Sequence, residues 1–242
     1  MDKPEFLAAL DRDGHAFVDA CAAAGIDAPV AACPGWRVAD LSWHVSEVLG
    51  FWASIVGDRR DTWDGFERAA QPADDQLVAL CRERVDAALA VLTAADPAQP
   101  NWTWSADKTA GFVMRRMAQE MAVHRWDAEM AAGREHAIEP TLASDGIDEF
   151  LTHFRGEAAD GAGPVAGSVH LHCTDVPGEW TVRPMPDGGA EVTREHAKGD
   201  AAIRGAAGDI LLVLWRRRPL RTVVVVGDAE VAARFVAFPL LS

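Results

Sequence analysis

His44, Glu120 and His124 form the one set of side chains in this 242-residue sequence with the types and spacing of a metal site. Glu120 and His124 stand four apart in Gln119-Glu120-Met121-Ala122-Val123-His124, within a segment of helical character, so both project from one face. His44 lies midway in a second helical run over residues 40–49. If the two helices pack, two imidazoles and a carboxylate converge. That is the open ligand pattern of a catalytic zinc, with a further position for water or substrate. The same spacing also suits a surface Glu beside a half-buried His, and the residues alone leave both readings open. Asp127, three beyond His124, shares nearly the same face; it either orients the ligand imidazole or is a solvated helix carboxylate.

Positioning these residues falls to a first half whose apolar period is helical. Helices are expected over residues 4–24, from the loop at 33–36 to Gly57, over 74–95 and over 109–132, with Gly25 and Gly133 as stops. Antiparallel helices of this length make a four-helix bundle, which commonly builds metal sites from inward side chains. A fifth helix, 142–158, reads as a connector, and the Gly- and Ala-rich stretch 156–167 as a linker. Beyond it the period becomes two. Residues 168–173, 179–182 and 190–193 alternate like half-buried strands, with turns at Pro177-Gly178 and at 187–189. Residues 206–216 return to helix, 220–226 read as a buried β-branched strand, and 228–238 as a last helix. The expected fold class is α+β in two domains, a helical bundle over 1–160 and a small α+β domain over 161–242.

Several other residues carry two readings. His170 and His172 share one strand face and suit a metal, but no third ligand is near in sequence, which favours a half-exposed strand. Trp36 and Trp43 read as core, and Glu47 as a surface residue. Arg216-Arg217-Arg218 complement a helix C-terminus. The four cysteines are scattered without a Cys-x-x-Cys pair, which speaks against a disulfide framework or a cysteine zinc site. They read as small buried hydrophobes, with Cys33 in a loop as the exception. Nucleotide-binding glycine loops, His-Glu-x-x-His and Gly-x-Ser-x-Gly are absent, and a chain without Tyr has no tyrosine acid. A formal charge of −14 argues against nucleic acid or an anionic membrane as partner. No apolar run approaches the roughly 20 residues of a membrane span, and the start lacks a signal-peptide pattern, so a cytoplasmic protein is expected.

The segment Ala32-Cys33-Pro34-Gly35-Trp36-Arg37-Val38-Ala39-Asp40-Leu41-Ser42-Trp43-His44-Val45 resembles the one carrying the first metal histidine in the mycothiol-dependent maleylpyruvate isomerase family. Residues 115–129, around Glu120 and His124, resemble the segment carrying its other two ligands. Residues 169–175 and 205–216 are similar to its C-terminal domain. The resemblance spans essentially the whole chain and implies a DinB-like bundle followed by a small α+β domain. It implies His44, Glu120 and His124 as ligands of Zn2+ or another divalent ion, with mycothiol as thiol cosubstrate and a small electrophile as substrate. The implied chemistry is addition of a thiolate to the cis double bond of maleylpyruvate, rotation about the resulting single bond, and elimination to fumarylpyruvate. A metal-coordinated thiol is deprotonated yet remains nucleophilic. A dianionic substrate needs an arginine, for which Arg204 and Arg217 are the candidates. One departure is Gln119, where many relatives carry His. The same architecture also fits a mycothiol S-transferase acting on other electrophiles, or a non-catalytic metal-binding protein.

Overall fold

A computed structural model of the chain describes residues 1–154, 165–185 and 189–239. It divides into two compact units, Met1–Ala137 and Ile138–Ser242.

The first unit holds α1 (Lys3–Ala24), α2 (Val38–Gly57), α3 (Leu77–Ala94) and α4 (Ala110–Ala131), with a 3-10 turn at Asp74–Gln76 where the third helix was expected to begin. A capping box starts α1: the Asp2 carboxylate accepts from the Glu5 backbone, and Glu5 reaches back to the Asp2 N–H. Gly25 ends it at φ 83°, a conformation suited to glycine. Packing joins α1 to α4 and α3, and α2 to α3 and α4. Phe17, Leu10, Leu41, Leu49, Leu77, Met114 and Met121 are fully buried between them. Buried polar groups also cross-link the helices. Cys81 on α3 donates to the Ser42 carbonyl on α2, and Arg125 on α4 pairs with Asp13 on α1 at 3.0 Å and with Glu129 at 2.7 Å.

The second unit opens with α5 (Pro140–His153), which therefore belongs to it and is not a connector ahead of a boundary near 160. Its apolar face, including Leu142, Ile147 and Phe150, is buried, and α6 (Ala207–Leu214) packs on it. Residues 155–158 of the expected fifth helix, most of the expected linker at 156–167, and 187–188 of the expected turn lie outside the described residues. The strands are β1 (Val169–Cys173), β2 (Glu179–Pro184), β3 (Ala190–Thr193), β4 (Ala201–Gly205) and β5 (Val224–Gly227), followed by α7 (Ala229–Ala237). They form a five-stranded sheet of order β3-β2-β1-β4-β5, antiparallel except for the parallel pair β1–β4. Two expectations change here. Ala201–Gly205 is an unforeseen strand, since an Ala-rich run lacks strand propensity and is held extended by pairing on both sides. The run 220–226 is not a buried strand: Leu220–Thr222 is a 3-10 turn, and β5 is the sheet edge with Val224 56% and Val226 59% exposed.

Alternation gives the sheet two different faces. Val169, Leu171, Ala201 and Ile203 point into the core; a Cβ on Gly205, on that same face, would meet Ile210 of α6 at 3.8 Å. His170, His172, Glu179 and Arg204 lie on the opposite face, by the register His172↔Glu179 and His172↔Arg204.

Candidate metal centre

In the bundle, α2 and α4 bring the first set of residues together. The entry to α2 is fixed by backbone bonds from Val38 to the Ala28 carbonyl and from Ala39 to the Ile26 carbonyl, both 2.9 Å. Thr109 caps α4 by accepting from the Phe112 N–H. The connector into α4 is tied to the end of α2, because Gln99 donates its side-chain amide to the Val56 carbonyl at 2.8 Å. The two helices are thereby held in register, and His44 meets Glu120 and His124.

His44 Nε2 and His124 Nε2 lie 3.3 and 3.1 Å from the same oxygen, Glu120 Oε1. The two imidazole rings stand edge to face, centroids 5.2 Å apart. All three donor atoms fall within 4.8 Å of one another. Arg116 Nη2 donates to the other Glu120 oxygen at 2.9 Å. Behind His124, Asp127 is buried (1% exposed) with Oδ2 3.0 Å from His124 Nδ1. With Nδ1–H donating to Asp127, the Nε2 lone pair faces the Glu120 carboxylate. Two acceptor atoms that close require a cation between them, either a proton or a metal ion. Tetrahedral zinc with bonds of about 2.0–2.1 Å sets its donors about 3.3–3.4 Å apart, near the spacing found here. The donor set therefore fits a divalent ion of borderline softness.

Electrostatics favour the cation as well. Burial disfavours a charged His124, but the Glu120 and Asp127 carboxylates outweigh it and raise its pKa to about 9. Burial likewise opposes ionisation of Glu120, yet His124, His44 and Arg116 hold it well below the ordinary carboxylate range. The mouth of the site is half-buried His44, with the Trp36 ring 5.3 Å away. Trp36 is thus a wall of the site rather than core; the backbone bond from Trp36 to the Cys33 carbonyl and the turn at Gly35 (φ 86°) aim it there. Glu47 is half-buried, 3.9 Å from Arg68. Gln119 is buried on α4.

The two arginines stand in the second unit. Arg204 is exposed on β4, beside His172. Arg217 is half-buried, donates to the Trp215 carbonyl at 3.0 Å and lies 6.0 Å from the Trp215 ring. Cys21, Cys81 and Cys173 are buried free thiols pushed by burial to about 12, 11 and 12, and Cys33 is half-buried. A second cluster stands in the second unit, where Glu179 and His196, neither of them singled out by the sequence, join His170 and His172. Its signal was the turn at Pro177-Gly178, which makes a hairpin and sets Glu179 opposite His172.

No helix among the described residues is long and apolar enough to cross a membrane. Residues 7–129 match the family description "Mycothiol maleylpyruvate isomerase N-terminal domain", and residues 141–234 match the MDMPI C-terminal domain. No curated protein matches the sequence. Among solved structures, the fold is similar to the mycothiol-dependent maleylpyruvate isomerase, with TM-score 0.65, 12% identity and 95% of each chain covered. A histidine-to-alanine mutant of that enzyme aligns with TM-score 0.64 at the same identity and coverage. The first domain match spans half of the sequence and the second follows it in order, so this chain belongs to the mycothiol-dependent maleylpyruvate isomerase family.

Proposed function

We propose that the protein is a metal-dependent enzyme that uses mycothiol to isomerise maleylpyruvate to fumarylpyruvate. The observation that carries the reading is the convergence of His44 Nε2 and His124 Nε2 on Glu120 Oε1, at 3.3 and 3.1 Å, in a member of this family. His44, Glu120 and His124 would hold the ion, most plainly Zn2+, for which two imidazoles and a carboxylate are a suitable set. When bound, that ion supplies the positive charge that keeps a thiol deprotonated at neutral pH.

The chain's own residues account for the rest of the design. Asp127 fixes the His124 tautomer and ring plane. Arg116 secures the Glu120 oxygen that faces away from the imidazoles. Trp36 shields one side of His44 from water. The proposed partners for the substrate carboxylates are Arg204 and Arg217, whose guanidinium groups suit bidentate binding. In the reaction a sulfur–carbon bond forms as the double-bond electrons move toward the adjacent carbonyl. After rotation, the same bond breaks and the thiol leaves unchanged, so no oxidant or net proton is consumed. The three buried thiols, Cys21, Cys81 and Cys173, are held protonated and take no part.

A second reading, an S-transferase acting on apolar electrophiles, is favoured by one feature, the Trp36 ring against His44. The deciding test assays metal-loaded protein with mycothiol against maleylpyruvate and a panel of apolar electrophiles. Isomerisation that needs both metal and thiol supports the first reading. Stable thioether products without isomerisation support the second. Turnover without thiol would remove both.

A further inference from the structure

We propose that the second unit contains a metal site of its own, formed by His170, His172, Glu179 and His196, which binds a divalent ion such as Zn2+ and fastens the loop after β3 to the sheet. These four residues lie outside the bundle site and play no part in the function proposed above.

Strand geometry assembles the first three. His170 and His172 share a face of β1, and antiparallel pairing places Glu179 of β2 directly opposite His172. His172 Nδ1 lies 2.7 Å from Glu179 Oε1, and His170 Nε2 lies 3.3 Å from Glu179 Oε2. The fourth arrives from the loop between β3 and β4: His196 Nδ1 is 2.7 Å from Glu179 Oε2. The ring centroids of His170 and His196 are 4.8 Å apart, and all four donor atoms lie within 4.8 Å of one another.

The loop is delivered to this position by contacts independent of the histidines. Thr181, buried on the same sheet face, donates to the carbonyls on either side of His196, Glu195 at 3.3 Å and Ala197 at 3.5 Å. Arg194 is anchored by the Asp148 carboxylate at 2.5 and 3.0 Å. His196 is therefore held over the cluster although its side chain is 75% exposed, whereas His170 beneath it is 8% exposed.

Donor chemistry selects the ion. Three imidazoles and a carboxylate suit zinc, cobalt or nickel, and not calcium or magnesium, which require oxygen shells. The carboxylate–imidazole gaps are 2.7–3.3 Å, His172 to Glu179 Oε1 and the other two to Oε2, and with all donors within 4.8 Å small side-chain shifts bring them to the roughly 3.3–3.4 Å between donors around tetrahedral zinc. Four protein donors fill such a shell and leave no place for substrate, which makes this a structural ion.

The test uses the untagged full-length chain carrying His44→Ala and His124→Ala, so that the bundle site is silent. After equilibrium dialysis against Zn2+, elemental analysis should find about one ion per chain, and Co2+ should give the intense visible absorption of a tetrahedral site. Adding His172→Ala and His196→Ala, both at accessible positions, should abolish that absorption. It should also weaken binding by about 100-fold or more, beyond the 10–100-fold typical of groups that only orient ligands. Chelation should lower the Tm of the first chain and leave that of the second unchanged. Circular dichroism of both chains establishes that they are folded, and His196→Ala alone serves if the double change disturbs the sheet. A first chain that binds no stoichiometric ion, or ion content indifferent to residues 172 and 196, overturns the site. Failure of the bundle site would show separately, in the chain that retains His44 and His124.

Discussion

At His124 the two ring nitrogens have different tasks, and Asp127 assigns them. Its buried carboxylate accepts a hydrogen bond from Nδ1–H at 3.0 Å and leaves Nε2 for the proposed ion. Asp127→Asn, which weakens that acceptor, should lower Zn2+ affinity by about 10–100-fold with the helix content unchanged; titration calorimetry checks this, and an unaltered affinity would reduce Asp127 to a packing role. The raised pKa gives a second test. In metal-free protein His124 is protonated up to about 9 against 6.5 for an ordinary histidine. Its contribution to stability is thus fully present below the unfolded value and is lost as pH rises through about 9. Since an ion must displace that proton, Zn2+ affinity should rise about tenfold per pH unit from neutrality to near pH 9. A flat pH profile would show that His124 of the metal-free protein carries no proton over that range. The Glu120–His124 pair was legible because a spacing of four is set by the helix itself. The partnership of His172 with Glu179 was less so, because register across a turn decides it, and His196 was invisible because a loop brings it in.

Helices were legible where capping, a glycine stop and apolar period agree, as in α1. Strands were read where alternation was clean, as in β1–β3. β4 escaped because Ala-Ala-Ile-Arg-Gly carries no strand signal of its own, and β5 was misread as buried because β-branched residues look alike at a sheet's edge and its centre. Close helix packing yields a prediction at this scale. A Cβ on Gly14 of α1 would stand 2.8 Å from Val85 Cγ1 on α3. Gly14→Ala should therefore destabilise the bundle by about 1–3 kcal/mol in denaturant unfolding. Combining it with Val85→Ala should cost less than the sum of the two single changes, since the second makes room for the first. Strict additivity would mean that this contact does not limit the approach of the helices.

Across the whole molecule, the division at Ala137 and the pairing of α5 with α6 make residues 1–137 a candidate for independent folding. That fragment should be mainly helical by circular dichroism and bind about one divalent ion through His44, Glu120 and His124; a fragment that is unfolded would show that the bundle depends on the second unit. The boundary was misplaced in the sequence because α5 is amphipathic like the bundle helices, and only its partners reveal which core it serves. An acidic chain with two clusters of histidine and glutamate is suited to cations, and the proposed function rests on the bundle cluster as the place of an ion that would receive a thiol. The most direct measurement is the visible spectrum of cobalt-substituted protein carrying His172→Ala and His196→Ala, so that only the bundle site is observed, titrated with mycothiol. If the bundle ion receives a thiol, a sulfur-to-cobalt charge-transfer band appears, saturates with thiol and is absent from the same chain carrying His44→Ala. A spectrum unchanged by mycothiol, with turnover of an electrophile or ester proceeding in its absence, would contradict it.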